Sequence, residues 1–144
     1  LSHYAKMGQM GKVSQSLAET EQIAREFLAK LKPAETKATI VALQGDLGAG
    51  KTTFAQGFGK ILGVEENMPS PTFVIMKIYN IDFHGFKKLI HIDAYRLEKE
   101  EELLHLGWDE LTKDPENIIL IEWPERVENL IPKHAKRIHF KHDK

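Results

Sequence analysis

The chain has 144 residues, with 20 Lys and Arg against 21 Asp and Glu for a formal net charge of −1, and no cysteine. The length suits one domain with a proper core; the charge balance excludes a general electrostatic grip on nucleic acid or an anionic membrane, and the absent thiols exclude disulfides, a thiolate nucleophile and a cysteine metal site. The longest apolar run, residues 118–121, is far short of a bilayer span, so a soluble cytoplasmic protein is expected.

Residues 1–14 scatter Gly, Lys and Ser without apolar periodicity and read as a mobile tail or expression remnant ahead of a single domain at 15–144. Ser16-Leu17-Ala18-Glu19 has the form of a capping box. Ile23, Phe27, Leu28 and Leu31 then mark one face of a helix at 17–31 that Pro33 closes, with Thr20 in its first turns as an ordinary helical threonine. Thr39-Ile40-Val41-Ala42-Leu43 is strand-like and leads into Gly45-Asp46-Leu47-Gly48-Ala49-Gly50-Lys51-Thr52, the pattern of Gly, four residues, Gly, Lys, then Ser or Thr. Glycine lets the backbone approach an anion, so consecutive N–H groups of this stretch would line a nest around a β-phosphate. Lys51 would reach the β- and γ-phosphates and the Thr52 hydroxyl would take one place on Mg²⁺. Thr53 is open between an α-phosphate contact and a plain place in the first helical turn. Phe54, Phe58, Ile61 and Leu62 recur at helical spacing up to a capping Gly63, which aims the positive end of that helix at the phosphates.

Ser70-Pro71-Thr72-Phe73 opens into a strand at 74–79. Pro71 holds Ser70 extended and presents Thr72 on a stiffened connection, either as a γ-phosphate sensor or as a strand-entry turn. Residues 80–86, with His84-Gly85, read as a turn. In the strand at 88–93 a period of two puts His91 and Asp93 on one side, Ile90 and Ile92 on the other. A carboxylate at the carboxyl end of a strand in an open α/β sheet lies where such sheets bind ligands, so Asp93 is a candidate to hold Mg²⁺ through water or to orient an attacking water. The seven histidines show no metal spacing, so His91 reads as a packing or hydrogen-bonding residue rather than a ligand or base. A charge-stabilising finger from the chain itself would be Arg25, Arg96, Arg126 or Arg137.

Residues 98–107 suggest a short acidic helix ended by Gly107, its charges read as a solvated face before a docking surface, and residues 108–111 add a turn. Ile118-Ile119-Leu120-Ile121-Glu122 is the pattern of a strand buried on both faces and ending in an acid, which makes Glu122 the first choice for a Mg²⁺ ligand. Trp123 reads as packing before partner surface. The basic segment 132–144 reads as a final edge strand guarded by its charges, before any RNA contact.

Four motifs in order, Gly45-Asp46-Leu47-Gly48-Ala49-Gly50-Lys51-Thr52-Thr53, Ser70-Pro71-Thr72-Phe73, His91-Ile92-Asp93-Ala94-Tyr95-Arg96 and Ile121-Glu122-Trp123-Pro124-Glu125, make residues 16–140 resemble the bacterial tRNA threonylcarbamoyladenosine biosynthesis ATPase family, TsaE. The resemblance implies an α/β fold of P-loop NTPase type, a three-layer sandwich with a mostly parallel central sheet and helices on both faces. It also implies ATP and Mg²⁺ as ligands and a weak ATPase activity alone. The implied partners are the two proteins TsaD and TsaB, in forming threonylcarbamoyl on adenosine 37 of tRNAs that read codons beginning with A, with tRNA met indirectly through the complex.

Carried over by position, Lys51 is the phosphate-loop lysine, Thr52 the Mg²⁺-binding threonine, Glu122 the acidic Mg²⁺ ligand and Asp93 the other functionally important acid. Thr72 belongs to the switch-like loop, and Thr20 lies near the nucleotide base. The first dozen residues have no family counterpart, and the His84-Gly85 turn extends the segment between motifs. An Asn-Lys-x-Asp guanine signature is absent, so ATP is expected over GTP. Two other readings stand beside this one. The first is a small-molecule P-loop kinase with Arg96 or the acidic segment in a lid and Asp93 taking a substrate proton; the second is a non-catalytic module whose 64–74 loop ATP merely orders.

Overall fold

The computed structural model describes residues 2–7, 10–14, 17–45, 51–64 and 75–143. The four-hydrophobe run of 118–121 becomes the middle of a sheet: Asn117–Glu122 is buried throughout and lies parallel to Thr39–Gly45 on one side and Phe86–Asp93 on the other. Numbered along the chain, the strands are β1 (Ser2–Met7), β2 (Met10–Ser14), β3 (Thr39–Gly45), β4 (Met76–Phe83), β5 (Phe86–Asp93), β6 (Asn117–Glu122) and β7 (Lys136–Asp143). They form one sheet in the order β2-β1-β7-β3-β6-β5-β4. The four central strands β7, β3, β6 and β5 are mutually parallel, and antiparallel strands flank them on both sides.

Alternation along these strands divides the interior into two cores. Val41, Leu43, Leu89, Ile118 and Leu120 face the helices α1 (Leu17–Ala29) and α2 (Lys51–Ile61), which contribute Ile23, Leu28, Phe54 and Phe58, with Leu62 just past the end of α2. Ile40, Ala42, Ile90, Ile92, Ile119 and Ile121 face the other way. They are covered by α3 (Glu100–His105), α4 (Trp108–Leu111) and two 3-10 helices, Ala94–Arg96 and Pro124–Leu130. This is the expected three-layer α/β sandwich. Phe54 packs edge-on to Phe140 with ring centroids 5.4 Å apart, which ties α2 to β7. Full burial of such a ring contributes roughly 1.5–3 kcal/mol. Among the described residues no helix is long and apolar enough to cross a membrane.

Local signals set several element ends. Gly63 at φ 92° closes α2 in a Schellman arrangement: its N–H donates to the Lys60 carbonyl at 3.1 Å, and the Val64 N–H reaches back to Gly59 at 2.9 Å. Helix α1 ends at Ala29 rather than at 31, because the Lys30 and Leu31 N–H groups turn to the carbonyls of Phe27 and Leu28 in a tighter final turn. Ser16 of the capping box lies outside the described residues.

Three expectations are corrected. The turn anticipated over 80–86 shrinks to His84 and Gly85, both at positive φ, and β4 and β5 pair up to it through Phe83 and Phe86. Residues 2–7 and 10–14, expected to lack regular structure, form a hairpin whose first strand pairs with β7. In consequence β7 is not an edge strand but lies between β1 and β3, its ladder bonds satisfied on both sides.

Candidate active site at the carboxyl edge of the sheet

Three of the parallel strands stop together. In the register, Leu43 and Asp93 both pair with Glu122, so β3, β6 and β5 end side by side, with Gly45 two residues beyond this row. Period two carries Glu122 onto the face of Ile118 and Leu120, and Asp93 onto the face of Leu89; that is the face covered by α2, whose first residue is Lys51. The sheet thus brings Lys51, Asp93 and Glu122 to one corner.

Lys51 is folded inward, only 6% exposed. Its Nζ donates to the Gly45 carbonyl at 2.8 Å and lies 3.6 Å from the centroid of the Trp123 ring. Trp123 reaches this place because the backbone turns left-handed immediately after Glu122, at φ 60°, ψ 51°, while the Trp123 N–H still donates to the Leu43 carbonyl at 3.3 Å. Its indole also packs on Tyr95, 5.0 Å between centroids, and the Arg126 guanidinium covers the far ring at 5.1 Å. Expected as packing, Trp123 is also the cation–π partner of Lys51. Sequence carried no signal for this place, since Pro124 favours an extended residue before it and Trp123 is left-handed instead.

Glu122 is 3% exposed, and its Oε2 lies 2.7 Å from Nε2 of His91, itself 1% exposed. His91 is therefore the hydrogen-bonding residue expected of it. Asp93 is half-buried and accepts the Tyr95 N–H at 3.0 Å, capping the 3-10 helix that follows. Burial raises its carboxyl above the ordinary 3.8 and the Glu122 carboxylate raises it further, against lowering by the Tyr95 N–H and by Lys51. A carboxyl raised by folding is penalised once ionised. Stability is therefore lost as pH climbs from 3.8 through the folded value, and the loss persists at neutrality. Asp93→Asn keeps an acceptor for Tyr95 and removes the charge. The variant is expected to melt higher than the parent at about pH 7 and to lose that advantage at about pH 3, as thermal unfolding at both values would register.

Of the remaining site residues, Thr52 is exposed and Thr53 half-buried in the first turn of α2, and Thr20 is half-buried on α1, the helix packed along α2. Asp46, Leu47, Gly48, Ala49, Gly50 and Thr72 lie outside the described residues. Among the described residues no three of His, Cys, Asp and Glu are grouped to hold a metal alone. The donor set is instead one that suits Mg²⁺ shared with a ligand's phosphates, since that ion takes one or two carboxylates and keeps its other places for water and phosphate oxygen.

Residues 14–144 match the model of the family described as threonylcarbamoyl adenosine biosynthesis protein TsaE. The chain is 41% identical over 123 residues to the tRNA threonylcarbamoyladenosine biosynthesis protein TsaE of Bacillus subtilis (strain 168), covering 85% of this chain and 72% of the relative. It is 39% identical over 117 residues to the protein of the same name from Rickettsia prowazekii (strain Madrid E), covering 81% of this chain and 75% of the relative. The crystal structure of Bacillus subtilis YdiB superposes with a TM-score of 0.65 at 30% identity, over 99% of this chain and 78% of YdiB.

Proposed function

Because the chain belongs to the threonylcarbamoyl adenosine biosynthesis protein TsaE family, we propose that it is a Mg²⁺-dependent ATPase serving the threonylcarbamoyl modification of adenosine 37 in tRNAs that read codons beginning with A. The observation that carries this reading is the convergence of Lys51, Asp93 and Glu122 where parallel strands end beside the phosphate-loop sequence.

Each residue has a task suited to its place. Lys51 exchanges the Gly45 carbonyl and the Trp123 ring for β- and γ-phosphate oxygens, whose full charge is the stronger attraction. Thr52 and Glu122 would hold Mg²⁺, which would supply positive charge to offset that of the phosphates. Asp93 accepts a hydrogen bond from the attacking water and so orients it. Backbone N–H groups from Asp46 to Thr53 cradle the phosphates, Thr72 answers to the γ-phosphate, and Thr20 lies near the base. The partners are TsaD and TsaB, and tRNA is met through them, in keeping with a net charge of −1.

Phosphate release tests the proposal. Turnover by the chain alone is expected to be slow, on the order of 10⁻⁴ per second, and to rise by up to roughly 10³-fold with both partners if one supplies the missing transition-state charge. Equal rates with and without them would count against assembly-dependent turnover. Phosphate appearing on a metabolite instead of in water would transfer the chain to the kinase reading.

A further inference from the structure

The Glu122 carboxylate makes a hydrogen bond that the phosphate-loop pattern does not call for. Nε2 of His91 lies 2.7 Å from Oε2 of Glu122, with both side chains almost wholly buried. His91 stands on β5, which is hydrogen-bonded to β4 through Lys77 and to β6 through Leu120, so its Cα is held from both sides. It pairs across β6 with Leu120, and its ring reaches along the same face to the residue two further on.

The other ring nitrogen settles the direction of the bond. Nδ1 is buried and has no hydrogen-bond partner among the described residues. A proton on Nδ1 would be buried unpaired, and the neutral form carrying it there would also set the Nε2 lone pair against a carboxylate oxygen. A proton on Nε2 donates to Glu122 and leaves Nδ1 with only a lone pair. His91 is therefore the donor, and Oε2 is its acceptor.

We propose that His91 is a positioning residue for the divalent cation: by holding Oε2 it fixes the Glu122 carboxylate and assigns Oε1 to the metal. A glutamate side chain has three torsions to settle, and one directed hydrogen bond from a strand-fixed ring settles the orientation of the carboxylate before the cation arrives. Partners of this kind, behind a metal ligand, typically govern metal affinity by 10–100-fold. The inference rests on the reading of Glu122 as a Mg²⁺ ligand.

The test is a Mg²⁺ titration of the full chain in the presence of a fluorescent ATP analogue bearing an N-methylanthraniloyl group, alongside binding of the same analogue in EDTA. His91→Leu is expected to raise the half-saturating Mg²⁺ concentration about 10–100-fold, with binding in EDTA unchanged. His91→Gln, whose amide nitrogen reaches the place of Nε2, is expected to return the requirement to within a few-fold of the parent. If the leucine variant fails to fold, His91→Asn serves in its stead, a polar side chain too short to reach Oε2, with the same expected rise. An unchanged Mg²⁺ requirement in whichever of these two variants folds overturns the role given to His91. So does an equal weakening of binding with and without Mg²⁺, which marks a merely structural residue. Glu122→Ala separates the two layers: if it shifts the requirement and the His91 variants do not, only the positioning role falls, whereas an unshifted Glu122→Ala overturns the metal-ligand reading itself.

Discussion

Glu122→Gln is expected to lower Mg²⁺-supported ATP hydrolysis by about 10²–10³-fold while leaving the protein folded, the scale at which a single preorganised charge-stabilising group acts. Glutamine has nearly the volume of glutamate and still offers an oxygen to the His91 Nε2–H 2.7 Å away, so the buried contact survives. What it lacks is the negative charge with which, on the proposed function, Glu122 holds Mg²⁺ at the end of β6. Glu122→Ala is expected to do more, because it also leaves the His91 N–H buried without a partner, a penalty of about 1–3 kcal/mol. The two variants should therefore share an activity defect and differ in stability, as phosphate release and chemical denaturation together would register. Wild-type hydrolysis in the glutamine variant would remove Glu122 from the site.

The second large effect belongs to stability. Gly45→Ala is expected to cost about 3 kcal/mol or more, or to prevent folding, through overpacking against backbone at a strained conformation. A Cβ at Gly45 would stand 2.3 Å from the Phe140 carbonyl oxygen and 2.9 Å from its Cβ, at a φ of 155°. These neighbours belong to β7, which is paired with β3 at this very residue, so neither side can move without opening the ladder. Gly63 is the control. It too has positive φ, 92°, but nothing lies within 4 Å of its would-be Cβ, so Gly63→Ala should cost only the conformational strain, about 1 kcal/mol. Equal losses in urea denaturation for the two variants would show that the approach of β7 imposes no constraint. Gly45 is the first glycine of the Gly-x-x-x-x-Gly-Lys-Thr pattern, and the packing of the sheet by itself requires a glycine there.

How far the site could be read in advance follows from the range of the interactions that build it. The helical spacing of 54–62, the apolar alternation of 88–93 and 118–122, and the caps at Gly63 and Gly107 express contacts within a few residues, and all became elements at or near the expected places. The turn expected over 80–86 proves shorter because only Asn80 and Asp82 disfavour a strand locally, and pairing in the antiparallel register with β5 carries the strand through them. The hairpin of 2–7 and 10–14 likewise depends on pairing, with itself and with β7, and the interior place of β7 depends on it in turn.

By itself, then, the sequence determined the α/β alternation, the lysine at the start of α2, and an acid at the end of each of two strands, because composition and period act locally on the backbone. Only the tertiary structure decided that these acids stand in one row, that His91 donates to Glu122 from 31 residues away, and that Trp123 covers Lys51. Those pairings depend on which strands become neighbours and in which register. A slip of one residue between β5 and β6 would turn one of the two carboxylates to the opposite face, and that choice is made by the packing of both cores at once.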